Sequence, residues 1–180
     1  MRLFIAIDFN ELKDYFLELQ GNLPKNAKLS FTRTFHITLK FLGEVQPDRV
    51  DDIINILKNT KFEAFTVFLD LIGIFPTENY IRVVWVGIKP EEKVLELQKN
   101  IDASLIKLFK KEKDFKAHIT IARVKYPEDK KRFLEQLRKI KVESKKFEIK
   151  DFRLVKSDLT PEGPVYEDLE IFDSNQYLFK

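Results

Sequence analysis

One short pattern occurs twice and constrains this chain more than anything else in it. The only two histidines stand in His36-Ile37-Thr38-Leu39 and His118-Ile119-Thr120-Ile121, 82 positions apart. The surrounding elements recur with them. Apolar residues at 2–7 read as a strand. Leu12, Tyr15, Phe16, Leu19 and Leu23 fall at helical spacing over 11–23. Residues 35–42 form a strand around the first histidine, Pro47 opens a helix, and 62–75 read as a strand ending in a Phe75-Pro76-Thr77-Glu78-Asn79 turn. The order then repeats: a strand at 81–86, a helix opened by Pro90, a strand at 115–124 around the second histidine, a helix over 128–140 and a strand over 146–156. The Thr160-to-Pro164 turn leads to a last strand at 165–172. Two β-α-β-α-β units, about 1–75 and 80–157, thus predict a single α+β domain over 1–180. It would have two pseudo-symmetric lobes of antiparallel sheet, helices on their outer faces and a cleft between them.

Composition narrows the chemistry. The chain has 180 residues and 17 Phe, enough for one real hydrophobic core. No cysteine is present, which removes a thiol nucleophile, disulfides and Cys-ligated metal. A net charge of +3 admits an anionic ligand without announcing a nucleic-acid-coating surface. The N-terminal apolar run is too short for a signal peptide, and no run is long enough for a membrane helix. The expectation is a cytoplasmic protein that needs no more than a monomer.

Residues i and i+2 of a strand share a face. His36 therefore projects with Thr38, and His118 with Thr120, while Ile37 and Ile119 point back into the core. Across a cleft, one imidazole can take a proton from a nucleophile while the other gives one to a leaving group. The hydroxyls can hydrogen-bond non-bridging phosphate oxygens. Such a site suits in-line transfer at phosphorus without a metal or cofactor. A single histidine on a strand is usually packed or solvated; the matched pair argues for catalysis. A metal site would want a third and fourth ligand at suitable spacing, and no His-x-x-x-His or Cys pair exists. No Gly-rich phosphate loop or serine elbow is present either.

With both motifs and their flanks, the chain resembles the two-histidine (2H) phosphoesterases, in particular the RNA 2′,3′-cyclic phosphodiesterases also called 2′-5′ RNA ligases. The resemblance runs through Phe4-Ile5-Ala6-Ile7, Phe35 to Glu44, Ile74-Phe75-Pro76, Ala117 to Val124 and Leu159 to Tyr166. It implies two antiparallel lobes around a cleft, and metal-free hydrolysis of RNA 2′,3′-cyclic phosphate ends to 2′-phosphates. It implies His36 as proton donor to the departing 3′ oxygen, His118 as the base that activates water, and Thr38 and Thr120 as phosphate contacts. The partners it implies are RNA ends or tRNA fragments carrying a 2′,3′-cyclic phosphate. Alternatives are a 2′-5′ ligase of tRNA halves and a module that binds RNA ends with little turnover.

Three further residues are candidates for substrate binding. Arg123 matches a family position, yet parity with His118 and Thr120 turns it away unless the strand bends. Lys40 has the parity of His36 and Thr38 and is a candidate second phosphate contact, or a solvated strand-end lysine. Tyr166 is a candidate to stack on or hydrogen-bond a nucleotide, or simply to pack. The Lys107–Lys116 run is either a guide for an RNA backbone or a solvated helix end.

Overall fold

The computed structural model describes residues 1–174; 175–180, the tail of the domain read over 1–180, lie outside the described residues. Nine strands and four helices follow in the order β1 (Arg2–Asp8), α1 (Lys13–Gly21), β2 (Ala27–Phe31), β3 (His36–Glu44), α2 (Val50–Leu57), β4 (Phe65–Thr77), β5 (Tyr80–Lys89), α3 (Glu92–Ser104), β6 (Ile119–Pro127), α4 (Lys130–Leu137), β7 (Lys146–Ile149), β8 (Asp151–Thr160) and β9 (Gly163–Asp173). They form two antiparallel sheets, β3-β1-β8-β9 and β2-β6-β5-β4-β7. The expected two-lobed α+β architecture is therefore present, with one histidine motif in each sheet.

Alternation along β1 shows how the first sheet is built. Leu3, Ile5 and Ile7 enter the main core together with Ile37 and Leu39 of β3 and Val94, Leu97 and Ile101 of α3. Phe4 and Ala6 face the other way, where they meet Val155 and Tyr166 in a small cluster of their own. One face of the sheet is thus sealed by helices and the other is concave and open, as the period-2 geometry of strands requires. The second sheet repeats the arrangement: Phe16 and Leu19 of α1 join Val84, Val86, Ile119 and Ile121 in the same continuous core.

Two details depart from the sequence reading. β2 was not expected; it is a short edge strand paired only with β6, and its Ala-Lys-Leu-Ser-Phe sequence is largely exposed. The strand expected over 146–156 is two strands that lie in different sheets, β7 beside β4 and β8 beside β1. The buried positions change parity at the break, from Phe147 and Ile149 to Phe152 and Leu154. A single strand cannot keep both sets on one face, so the chain crosses between sheets at Lys150.

Candidate active site

His36 opens β3 directly opposite Asp8 of β1, and Thr38 lies opposite Ala6. Both therefore share the concave face with Phe4. The imidazole packs against the Phe4 ring at 5.3 Å and meets Tyr166 edge-on at 5.4 Å. Beside it a cavity of about 220 Å³ is walled by Phe4, Asp8, Asn10, Thr34, Arg153 and Asp168, among others. Its polar wall is cross-braced. Asp8 Oδ1 accepts from the Asn10 backbone N–H at 2.9 Å, Asn10 Oδ1 accepts from the Phe35 N–H at 3.0 Å, and the Arg153 guanidinium bonds Asp8 at 2.9 Å and Asp168 at 2.7 Å. The residue just before His36 is thus tied to the end of β1. Sequence reasoning missed Asp8, Asn10 and Arg153; Asp8, an acid closing an apolar strand run, was the only signal in the sequence.

His118 stands immediately before β6, at the mouth of the second sheet. Its Nδ1 lies 2.7 Å from the Lys116 carbonyl oxygen. A carbonyl only accepts, so Nδ1 carries the proton and the Nε2 lone pair is left for chemistry. The ring is held edge-on by Phe75 at 4.8 Å and Trp85 at 6.2 Å. The Lys116 ammonium sits 4.9 Å over the Trp85 ring, a cation–π contact that keeps the side chain folded beside the site. Trp85 lies flat because β4 offers Gly73 beneath it: a Cβ there would fall inside the indole. Phe75, Trp85 and Gly73 are a platform that the sequence motif did not announce.

Register decides the remaining candidates. In β3 the pairing with β1 runs from Ala6–Thr38 to Ile5–Lys40, so Leu39 is an extra residue, a β-bulge. The bulge reverses parity, and the expectation for Lys40 fails for that reason. Lys40 turns to the core face, only 2% exposed, where its ammonium is ion-paired with Asp102 of α3 and donates to the Lys110 carbonyl at 2.7 Å. It is neither a phosphate contact nor a solvated strand end. In β6 the pairing with β5 runs from Trp85–Thr120 to Val84–Ala122 and Val83–Arg123, so Ile121 is extra. Here the same device brings Arg123 onto the face of Thr120. The strand bend that Arg123 required is this bulge.

The two halves of the site sense each other. Burial lowers the His36 pKa to about 4; Asp8 opposes this, and the positive charges of His118 and Arg123 add to it. His118 is also lowered by burial, partly offset by its bond to the Lys116 carbonyl. Burial raises the Tyr166 hydroxyl, and Arg123 pulls it back. Arg123 therefore acts on His36 and Tyr166 across the cleft from its own sheet. Burial thus disfavours the protonated form of both imidazoles, and an anion bound between them favours it.

Comparison with known proteins gives the family. A family model described as LigT like phosphoesterase matches twice, over residues 7–85 and 86–166. The chain belongs to the LigT-like, two-histidine phosphoesterases. It is 41% identical to a Methanocaldococcus jannaschii protein named RNA 2′,3′-cyclic phosphodiesterase, over 93% of this chain and 97% of that one. It is 38% identical to an Archaeoglobus fulgidus protein of the same name, over 96% and 100%. Among solved structures, TT0787 of Thermus thermophilus superposes with a TM-score of 0.80 at 28% identity, covering 98% of this chain and 100% of that one. Escherichia coli LigT complexed with 3′-AMP superposes with 0.75 at 22% identity, over 97% and 98%, a likeness of fold. Within this family fold, among the described residues, no group of three or more His, Asp or Glu side chains is placed to hold a metal ion. No helix among them is long and apolar enough to cross a membrane.

Proposed function

We propose that this phosphoesterase hydrolyses RNA 2′,3′-cyclic phosphate ends to 2′-phosphates, with His36 as general acid and His118 as general base. What supports the reading is the coupling between the two sheets: the charges of His118 and Arg123, both on the second sheet's motif, lower the pKa of His36 on the first. The names of the archaeal relatives supply the substrate class. The Nδ1 bond of His118 supports its role as base, since Nε2 is free to accept a proton.

In the reaction, Nε2 of His118 removes a proton from water as the water oxygen bonds to phosphorus. The P–O3′ bond breaks in line, and His36 delivers its proton to O3′, leaving a 2′-phosphate and a 3′-hydroxyl. Charge spreads over the equatorial oxygens, where Thr38, Thr120 and Arg123 supply hydrogen bonds. Exchange with solvent returns the proton gained by His118 and replaces the one lost by His36. The nucleoside carrying O3′ lies on the His36 side, beside the cavity lined by Phe4 and Asp8, and water enters on the His118 side. A monomer contains every group in this scheme.

Turnover of 2′,3′-cyclic AMP in the presence of a chelator tests the reading. His36→Ala and His118→Ala each lower kcat by about 10²–10⁴-fold, the usual worth of a positioned acid or base. Wild-type turnover in either variant would refute it.

A further inference from the structure

The bulge at Ile121 is held by two side chains that no motif includes. Successive carbonyls of a regular strand point to opposite neighbours, yet Thr32 Oγ1 lies 3.0 Å from Thr120 O and 3.2 Å from Ile121 O. Both carbonyls therefore face the β2 side, where a regular strand would turn only one. Gln20, buried in the apolar face of α1, spends its side-chain amide at the same point: Nε2 donates to Thr32 O and to Ile121 O, each at 2.8 Å. The Thr32 backbone N–H also reaches Ile121 O at 3.2 Å. A buried amide is costly unless both of its hydrogens find acceptors, and here both do.

We infer that Gln20 and Thr32 are positioning residues that lock the Ile121 bulge and thereby aim the Arg123 guanidinium into the cleft. The alternative state is specific. If β6 continued from Thr120 without the extra residue, Ala122 would take the place of Arg123 opposite Val83, and Arg123 would turn to the other face of the sheet. A one-residue change of register flips every later side chain. The clamp explains why that does not occur: it supplies donors to both the Thr120 and the Ile121 carbonyl on the β2 side, where a regular strand would present only one of the two. α1 enters at this point because it packs on β6. The first sequence half therefore sets the position of a residue in the second.

The inference rests on Arg123 contacting the phosphate, and the experiment separates the two claims. Binding of inorganic phosphate is measured by calorimetry at fixed ionic strength. The proteins are wild type, Arg123→Ala, Gln20→Met/Thr32→Val, and the triple variant. Arg123→Ala is expected to weaken binding about tenfold or more, the worth of a hydrogen bond to a charged group. Gln20→Met/Thr32→Val should lose a comparable factor, and the triple variant should bind within about twofold of Arg123→Ala, because groups acting through one contact are non-additive. A role confined to folding would instead multiply the two losses. Thr32→Ser keeps the hydroxyl and should bind like wild type. Thr32→Val alone, nearly isosteric, runs the same cycle if the pair of substitutions prevents folding. Multiplicative losses, or wild-type binding in the clamp variants, overturn the inference while leaving the role of Arg123 intact. Unchanged binding in Arg123→Ala overturns that role and the inference with it.

Discussion

Two histidines with the same neighbours are not equivalent residues once folded. His36 is enclosed by Phe4 and Tyr166, and its pKa is lowered to about 4; His118 is lowered as well but holds a carbonyl through Nδ1. The catalytic form needs the first protonated and the second neutral. In free enzyme both pKa values lie below the ordinary 6.5, so kcat/KM is expected to peak below pH 6.5. The profile of kcat should peak at higher pH, because the bound anion raises both. Steady-state profiles on a 2′,3′-cyclic nucleotide check this, and a kcat/KM maximum above pH 7 would contradict it. The same shift has a stability sign. A histidine whose folded pKa lies below its unfolded 6.5 takes up protons preferentially when unfolded. Its contribution is complete above pH 6.5 and is lost as pH falls toward 4, amounting to about 3 kcal/mol. Urea unfolding at pH 7 and pH 4.5 should show a smaller loss in His36→Gln than in wild type.

At the scale of the element, the bulges decide which neighbours join the histidines. His-x-Thr was legible because i and i+2 share a face with no help from elsewhere. Everything beyond Thr depended on register, which β3 and β6 each break one residue later, at Leu39 and Ile121. Counting parity without the bulges placed Lys40 on the face of His36 and made Arg123 depend on a strand bend; the structure buries Lys40 and supplies that bend. No local signal marks either bulge; the partners that hold them, Asp102 for Lys40 and Gln20 with Thr32 for Ile121, are distant in sequence. The break between β7 and β8 was different, since the parity of Phe147 and Ile149 against Phe152 and Leu154 was there to be read. Lys40→Met tests the corrected assignment. It strands the Asp102 carboxylate with only the Glu112 N–H for a partner, so stability should fall by about 3–5 kcal/mol. The folded variant should keep KM for a cyclic nucleotide within about twofold. A large rise in KM at unchanged stability would return Lys40 to the cleft.

The whole molecule is more entangled than its repeat suggests. Each sheet draws strands from both sequence halves: β1 and β3 are completed by β8 and β9, while β2 and β4 flank β5 and β6. The chain passes between the sheets after β1, β2, β3 and β7, and one continuous core underlies both. Carried on interleaved sheets over one core, the two histidines are less free to move apart than on independent lobes, which suits an acid and a base acting on opposite sides of one phosphorus. The Lys40–Asp102 pair adds to this frame, because Asp102 also accepts from the Glu112 N–H in the segment that leads to His118. The architecture predicts that neither half is a folding unit. Cut at the β4–β5 turn, residues 1–78 keep the β1–β3 pair, but β2 and β4 lose the strands that stood between them. Residues 79–180 keep only the isolated pairs β5–β6 and β8–β9, and two-stranded pairs are marginal in water. Each fragment, expressed alone, should give a narrow amide proton spectrum and no cooperative thermal transition, while the intact chain gives both dispersion and cooperativity. A dispersed spectrum from either fragment would mean that its strands can close a lobe without the other half, and that the exchange of strands is not what holds the two histidines at a fixed distance.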